Sequence, residues 1–204
     1  MARLRELLGR EGGTLLDVAC GTGRHLEVLR QHYRAEGLDL DPAMVEIARS
    51  RGLTVHEGDL AAFHLGRTFD VVTCLFSSIG YAPDLEAAVR SLARHVAPGG
   101  GLAVEAWLTP ETVVRGHLSL HTAEDGSTQV ARMSLVEVEG RVSRVDFHHL
   151  VGRQGSVEYF HEVHRLWLWS RDEYGAAFLA AGLDATYDEQ GLMGRGLWVA
   201  TRGR

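Results

Sequence analysis

The sequence is poor in cysteine and has no long apolar run. Its two cysteines, Cys20 and Cys74, each lie in an apolar stretch and lack the paired spacing of a zinc site or a disulfide framework. We therefore expect a reducing, cytoplasmic location. The chain opens without a signal-peptide pattern, and no apolar run approaches the length of a membrane span, so we expect neither export nor a membrane partner.

The sequence also lacks an excess of positive charge. It carries 21 Lys and Arg residues against 27 Asp and Glu residues, which gives a net charge of −6 at pH 7. Nucleic-acid binders generally present a basic face, so we expect no nucleic-acid partner and predict a small-molecule substrate instead. Hydrophobic residues make up 45% of the 204 residues, which is enough for the core of one globular domain.

Between residues 14 and 107, strand-like apolar runs alternate with helix-like segments. This alternation predicts a parallel sheet with helices on both faces. Asp41-Pro42 and Pro83-Asp84 are typical of helix starts, and Pro98-Gly99-Gly100 is expected to close the helix before the fifth strand.

After Pro110 the pattern changes to polar and β-branched alternation, which predicts three or four antiparallel strands. A last helix in "RDEYGAAFLAAG" then precedes two short strands. The expected fold is therefore α/β: a doubly wound, mostly parallel sheet with an antiparallel β insertion after the fifth strand. We predict one domain, residues 1–204, with its core at 1–109 and 171–204 and the insertion at about 110–170.

The stretch "LLDVACGTGRHLE", residues 15–27, predicts a strand, a glycine turn and a helix. A dinucleotide fingerprint would place a small third residue where this chain has Leu26, and no Gly-Lys-Ser/Thr sequence follows, so a dinucleotide and a Walker loop are disfavoured. The carboxylate of Asp17 beside Gly21 and Gly23 suits a ligand with both an ammonium and a carboxylate group. S-adenosylmethionine is such a ligand, and a plain turn is the alternative.

Two further acids follow the next two predicted strands. Asp39 ends the second strand, where a carboxylate can accept hydrogen bonds from ribose hydroxyls. Asp59 follows the third strand and is placed to accept from an adenine amino group, with Leu60 beside the ring. The alternative for Asp59 is a turn-forming role after a glycine, and Asp41 is better explained as a helix N-cap.

Five segments in this order resemble class I S-adenosylmethionine-dependent methyltransferases: "LLDVACGTGRHLE", "GLDLDPAMVEIAR", "HEGDLAAF", "CLFSSIGY" and "APGGGLAVEAW". Over nearly the whole chain the sequence is more narrowly similar to the N,N-dimethyltransferases of nucleotide-linked (dTDP) amino sugars such as desosamine and mycaminose. The resemblance implies a Rossmann-like sheet, S-adenosylmethionine as cofactor and a cofactor site made of Asp17, Ala19, Gly21, Gly23, Asp39, Asp59, Leu60 and Leu75.

The sequence departs from that family at several positions. The family usually has Glu at the position of Asp39, Met at those of Leu60 and Leu75, and Pro-Trp-Trp in place of Ala106-Trp107-Leu108. Family members also carry an N-terminal, tyrosine-containing segment that covers the cofactor. Here the first predicted strand already begins at Thr14, so we expect this lid to be absent or to come from elsewhere.

Methyl transfer to an amine is a direct displacement that needs alignment more than an enzyme nucleophile, so the candidate catalytic residues are those near the acceptor. Tyr81, at the end of "SSIGY", is a candidate for contacting the amino group, with a packing role as the alternative. Arg195 lies between two glycines and can bind a sugar hydroxyl or a phosphate, unless it is a solvated loop residue. Glu105 can accept from the amine or orient a backbone turn.

The histidines do not predict a metal site. "HEVH" is one residue short of a zincin motif, and His161 and His164 would point to opposite faces of a strand. His148 and His149 diverge for the same reason, so we expect no metal. The alternating "LWLW" at 166–169 is typical of a strand with a buried face, and a homodimer contact is the alternative.

Three functional hypotheses remain. The first is an N-methyltransferase for a nucleotide-linked amino sugar in antibiotic biosynthesis. The second keeps the fold and cofactor but changes the small-molecule acceptor, because a fold does not fix a function. The third is a module that binds S-adenosylmethionine without turnover because the N-terminal lid is missing.

Overall fold

The structure is a computed structural model that describes residues 6, 9, 12–192, 194 and 196–203. The chain forms two compact units. The first comprises Met1–Trp107 and Arg171–Arg204, and the second comprises Leu108–Ser170. The second unit falls where the β insertion is expected, whereas the assignment of the whole chain to one domain stays a prediction.

In the part of the first unit that is described, seven strands form one sheet in the spatial order β3-β2-β1-β4-β5-β11-β10. Strands β1 to β5 pair with one another in parallel, and β11 runs antiparallel to both β5 and β10. The strands are β1 (Thr14–Val18), β2 (Arg34–Asp39), β3 (Val55–Glu57), β4 (Phe69–Cys74), β5 (Val96–Val104), β10 (Leu183–Asp188) and β11 (Leu197–Arg202). The predicted doubly wound, mostly parallel α/β sheet is confirmed.

Helices connect most of these strands, and capping side chains explain where two of them begin. The helices are α1 (Arg24–Leu29), α2 (Pro42–Ser50), α3 (Leu85–Arg94) and α4 (Arg171–Ala180), with a short 3₁₀ helix at Ser78–Tyr81. The Asp41 carboxylate accepts from the Ala43 amide at 2.8 Å, and the Asp84 carboxylate accepts from the Ala87 amide at 2.9 Å. Both predicted helix starts are confirmed. None of the helices in the described residues is long and apolar enough to span a membrane.

The second unit is a meander of antiparallel strands, and among its described residues the sheet has four of them. They are β6 (His117–Asp125), β7 (Thr128–Glu139), β8 (Val142–Arg153) and β9 (Ser156–Trp167). Each strand pairs with the next one along the chain. The connections are two-residue turns, residues 126–127, 140–141 and 154–155, and each contains a glycine with positive φ. Such turns fix the register of the strands that they join.

A close contact between α1 and the sheet depends on Gly37 in β2. A Cβ atom at Gly37 would lie 2.6 Å from Cys20 Sγ and 3.0 Å from Leu26 Cδ2, so only glycine fits there. Leu26 is fully buried and occupies the position at which a dinucleotide fingerprint has a small residue. The small residue that lets the helix approach the sheet is thus supplied by the neighbouring strand.

We predict that Gly37→Ala lowers the free energy of unfolding by about 1–3 kcal/mol, because the new methyl group overlaps Cys20 and Leu26. Chemical denaturation of the single variants Gly37→Ala and Cys20→Ala and of the double variant measures the coupling. The double variant should be more stable than the sum of the two single effects implies, by about 1 kcal/mol. Strict additivity would show that this packing does not limit the approach of the helix.

Candidate functional site

The carboxyl ends of β1 to β5 meet at one edge of the sheet, where open α/β sheets bind their ligands. Five of the predicted site residues lie at or just after these strand ends. Along the sheet, from β3 to β5, they are Asp59, Asp39, Asp17, Leu75 and Glu105. Residues that are far apart in the sequence therefore line a single edge in spatial order.

The loop between β1 and α1 follows a left-handed path at alternate residues. Ala19, Gly21 and Gly23 have φ values of 57°, 55° and 80°. A Cβ atom at Gly21 would meet nothing within 4 Å, whereas one at Gly23 would overlap Leu53 Cδ1. Gly21 therefore faces open space that a ligand can fill, and Gly23 is required for packing against the segment after α2.

Asp39 anchors this loop to β2. Its Oδ2 accepts from the Gly21 amide at 2.6 Å, and its Oδ1 accepts from the Asp41 amide at 3.0 Å. A carboxylate offers about four lone pairs, so both oxygens keep the capacity to accept from hydroxyl groups of a ligand. Asp39 therefore serves the shape of the loop, and the ribose contact expected from the sequence stays a prediction.

Asp17 places a buried carboxylate at the end of β1. The side chain is 2% exposed, and its Oδ1 accepts from the Thr73 hydroxyl at 2.7 Å. Its Oδ2 is buried and has no hydrogen-bond partner among the described residues. Burial raises the pKa of Asp17 to about 6, against the opposing effects of the Thr73 hydrogen bond and the positive potential of His25. An unpartnered buried carboxylate oxygen is a site for a cationic ligand group.

The loop after β4 is held in an unusual conformation by residues that follow β5. Phe76 and Ser77 are consecutive non-glycine residues with φ values of 57° and 63°. The Glu105 Oε2 accepts from the Phe76 amide at 2.7 Å, and the Ser77 hydroxyl donates to the Ala106 carbonyl at 2.9 Å. Glu105 therefore orients a backbone turn, and its contact with the amine stays a prediction. The second oxygen, Oε1, is buried without a partner among the described residues.

The remaining predicted residues are less tightly linked to this cluster. The Asp59 carboxylate accepts from the Ala61 amide at 2.8 Å, which is the turn-forming contact considered for it. Leu75 is 8% exposed and belongs to the core cluster with Leu15 and Val71, and Tyr81 is 48% exposed at the end of the 3₁₀ helix. Leu60 is partly buried. Arg195 lies outside the described residues.

Two residues at this edge were not identified from the sequence. His25, in the first turn of α1, lies with its ring centroid 5.8 Å from that of Phe76, which is 57% exposed. His25 also favours the ionised form of Asp17. The signal was present in the sequence, because an aromatic residue two positions after a buried strand and a histidine two positions after a glycine turn both fall at the edge where open α/β sheets bind ligands.

The chain is similar over most of its length to known methyltransferases. Residues 15–100 match the family described as "Methyltransferase domain". The chain is 42% identical over 200 residues to the dTDP-3-amino-3,6-dideoxy-alpha-D-glucopyranose N,N-dimethyltransferase of Streptomyces fradiae, covering 95% of this chain and 78% of the relative. It is 40% identical to the dTDP-4-amino-2,3,4,6-tetradeoxy-D-glucose N,N-dimethyltransferase of Saccharopolyspora spinosa, over 94% and 80% of the two chains.

A solved structure extends the similarity to the whole fold. The amino pentose methyltransferase CalS10 from Micromonospora echinaspora, determined with S-adenosylmethionine bound, superposes with a TM-score of 0.88 and is 42% identical. The match covers 98% of this chain and 87% of that protein. The fold is that of class I methyltransferases. The chain belongs to the family of S-adenosylmethionine-dependent methyltransferases that includes the N,N-dimethyltransferases of dTDP-linked amino sugars.

We predict that Gly21→Ala weakens S-adenosylmethionine binding by about tenfold or more, because its methyl group would enter the open space beside the loop. Gly52→Ala is the matched control, since Gly52 also has positive φ, at 72°, and open space around its missing Cβ. Both variants should lose a similar stability of about 1–2 kcal/mol from backbone strain. Calorimetric titration and denaturation separate the two effects, and equal affinity in both variants would contradict the assignment.

We predict that Glu105→Ala lowers the free energy of unfolding by about 1.5–3 kcal/mol, because the Phe76 amide loses a charged acceptor. Glu105→Gln keeps an acceptor oxygen, so it should retain the fold and a turnover number within about threefold of the parent. Stability and steady-state kinetics test this. If Glu105→Gln folds but has lost turnover, the result would instead indicate that the second oxygen, Oε1, accepts a hydrogen bond from the amine of the acceptor.

Proposed function

We propose that this protein transfers methyl groups from S-adenosylmethionine to the amino group of a dTDP-linked amino-deoxysugar, by direct displacement. The observation that carries the acceptor class is the extent of the similarity, because it includes the second unit as well as the cofactor-binding strands. The sugar substrates named for the two relatives carry the amino group at C3 in one and at C4 in the other, so we propose an acceptor with its amino group at one of these two positions.

The residues at the sheet edge fit the methyl donor. The unpartnered oxygen of Asp17 supports an ion pair with the ammonium of the methionine moiety, and the space beside Gly21 allows close approach of a ligand to the backbone near Ala19 and Gly23. Asp39 is proposed to accept from the ribose hydroxyls. Asp59, with one carboxylate oxygen engaged in its turn, is proposed to accept from the adenine amino group, with Leu60 and Leu75 as apolar neighbours.

When bound, S-adenosylmethionine supplies an activated methyl group. The neutral amine of the sugar attacks that methyl carbon in line, its lone pair forms the new C–N bond, and the electrons of the C–S bond return to sulfur. The resulting ammonium loses a proton before a second transfer. The protein contributes mainly alignment, for which well-oriented systems offer about 7–11 kcal/mol.

Three residues are proposed for the acceptor side. The exposed ring of Tyr81 is proposed to contact the amino group, and Arg195 to bind a sugar hydroxyl or a phosphate. Glu105 supports the same region through the Phe76 amide, as a positioning residue. The exposed ring of Phe76 and the imidazole of His25, which lie next to each other, add apolar and polar surface at this edge of the sheet.

The remaining properties are also proposals. A cytoplasmic location is supported by two free, buried cysteines, which are typical of a reducing compartment. A homodimer is supported by the exposed apolar side chains on the second unit, among them Leu118, Leu120 and Val157. The net charge of −6 supports a function without nucleic acid, and no membrane partner is proposed.

We predict that the purified protein, incubated with S-adenosylmethionine and dTDP-3-amino-3,6-dideoxyglucose, yields monomethylated and then dimethylated sugar. Mass spectrometry of the sugar, together with S-adenosylhomocysteine measured in the same sample, checks this. The 4-amino-2,3,4,6-tetradeoxy sugar nucleotide is the comparison substrate. Donor binding without methylation of either sugar would favour a module without turnover, and turnover on an unrelated amine or hydroxyl would favour a different acceptor.

We predict that donor affinity falls as the pH drops below about 6, by up to about tenfold per pH unit, because protonation of Asp17 removes the negative charge. The raised pKa also means that the folded protein holds the Asp17 proton more tightly than the unfolded chain does. Ionisation of Asp17 therefore lowers the free energy of unfolding as the pH rises from 3.8 to about 6. Asp17→Asn should therefore bind the donor about tenfold or more weakly, without this pH dependence, and be at least as stable at pH 8.

Asp41→Asn is the matched control for this experiment, because the amide still caps α2 and its parent carboxylate also lies at the ligand edge. Titrations between pH 5 and 8 should show parental affinity and parental pH dependence for the control. If Asp17→Asn keeps the parental dependence of donor affinity on pH, Asp17 does not bind the donor.

A further inference from the structure

The second unit carries a group of metal-ligating side chains that the methyltransferase reaction does not use. In the register of β8 and β9, His148 lies directly opposite His161. Asp146 is two residues before His148 on the same strand, so these three side chains share one face of the sheet. Directly opposite residues in antiparallel strands have Cβ atoms about 4.5–5.5 Å apart, within the reach of a shared ion.

The distances between the three side chains agree with a shared ligand. One potential ligand atom from each of Asp146, His148 and His161 lies within 4.8 Å of the other two. The imidazole Nε2 of His161 is 3.0 Å from Asp146 Oδ1, and the two imidazole rings are stacked with centroids 4.6 Å apart. Tetrahedral zinc has ligand bonds of about 2.0–2.1 Å, so the three atoms would have to move closer together by side-chain rotation to bind one ion.

Asp146 supplies a second, independent indication. Its residue is 4% exposed, and its Oδ2 is buried without a hydrogen-bond partner among the described residues. Its Oδ1 already accepts from Arg144 at 2.7 Å and lies against His161. A buried carboxylate oxygen without a partner costs free energy, and a bound cation removes that cost.

Tyr159 orients one of the imidazoles. Its hydroxyl oxygen lies 2.6 Å from His148 Nδ1. When Nδ1 carries the proton and donates to Tyr159, Nε2 of His148 keeps a lone pair for a metal. Such an outer contact is usual for a histidine that binds a metal. Arg144 weakens cation binding at this position, because its positively charged guanidinium group contacts the same carboxylate.

We propose that Asp146, His148 and His161 bind one Zn²⁺ ion on the second unit. Imidazole nitrogen and carboxylate oxygen are ligands that zinc prefers, and three protein ligands leave the fourth tetrahedral position for water or another donor. The expectation that these histidines bind no metal considered only pairs of histidines within one strand. His148 and His161 lie on two neighbouring strands, so that reasoning does not apply to them. Because the ion would tie β8 to β9, it would stabilise this hairpin.

The test uses the full-length, untagged protein after removal of metals by a chelator, titrated with Zn²⁺ by calorimetry and followed by thermal denaturation. We expect one Zn²⁺ per chain and a higher Tm in its presence. His161→Ala and Asp146→Asn should each weaken binding by about tenfold or more and remove the Tm increase. Tyr159→Phe should weaken binding less, and Arg144→Gln should strengthen it because a competing positive charge is removed.

His164→Ala is the matched control, because His164 lies on the same strand as His161 but on the opposite face of the sheet. It should bind Zn²⁺ as tightly as the parent, with the same stoichiometry. Two results would overturn the proposal: no saturable Zn²⁺ binding by the folded parent protein, or equal losses in His164→Ala and His161→Ala. Circular dichroism of each variant establishes that the sheet is intact, and Arg144→Gln tests the site without removing a ligand.

Discussion

The hydrogen bond from the Gly21 amide to the Asp39 carboxylate connects the first loop of the sheet to its second strand. That loop must leave β1, pass through three left-handed residues and enter α1, and unconstrained chains do not hold such a path. With the loop tied to β2, α1 can pack on the sheet through Leu26, and the open space beside Gly21 keeps its shape. This contact, together with the hydrogen bond from the Cys20 amide to the Leu38 carbonyl, therefore supports both the packing of the core and the geometry of the site.

Buried carboxylates with an unused oxygen recur in both units. Asp17 and Glu105 lie at the edge of the parallel sheet, and Asp146 lies on the meander. Each is partly satisfied by neighbouring donors, through Thr73, Phe76 and Arg144 respectively. A protein selected only for stability would replace such groups, so their presence is typical of sites where a ligand completes the interaction.

Much of the fold could be predicted from the sequence because the relevant signals are local. Alternating strand-like and helix-like segments predicted the parallel sheet, and Asp41-Pro42 marked a helix start that the structure shows. The prediction for the segment after α3 was less accurate. Pro98-Gly99-Gly100 was expected to precede the fifth strand, but β5 begins at Val96 and includes these residues, with an irregular register opposite Phe69 and Val71. A bulge of this kind depends on the partner strand rather than on local sequence.

The site could be predicted in outline but not in its contacts. The positions of the acids after successive strands predicted that they meet at one edge of the sheet, as the structure shows. The role of Asp39 as anchor of the glycine loop, in contrast, depends on the spatial adjacency of β1 and β2. Likewise, Leu26 indicated from the sequence that the loop does not bind a dinucleotide. Gly37, which makes room for the Leu26 side chain, lies on another strand, so its role could not be predicted. The pairing of His148 with His161 follows from hairpin register, and sequence spacing alone does not reveal it.

The two-residue turns of the meander also limit how this unit can change during evolution. Each turn sets the register of the strands beside it, and side chains in a strand alternate between the two faces. One residue inserted at 154–155 would exchange the faces of β9 for its whole length and separate His161 from His148. Homologous proteins can therefore diversify either face by point substitution, whereas single-residue insertions or deletions in these turns would be strongly selected against.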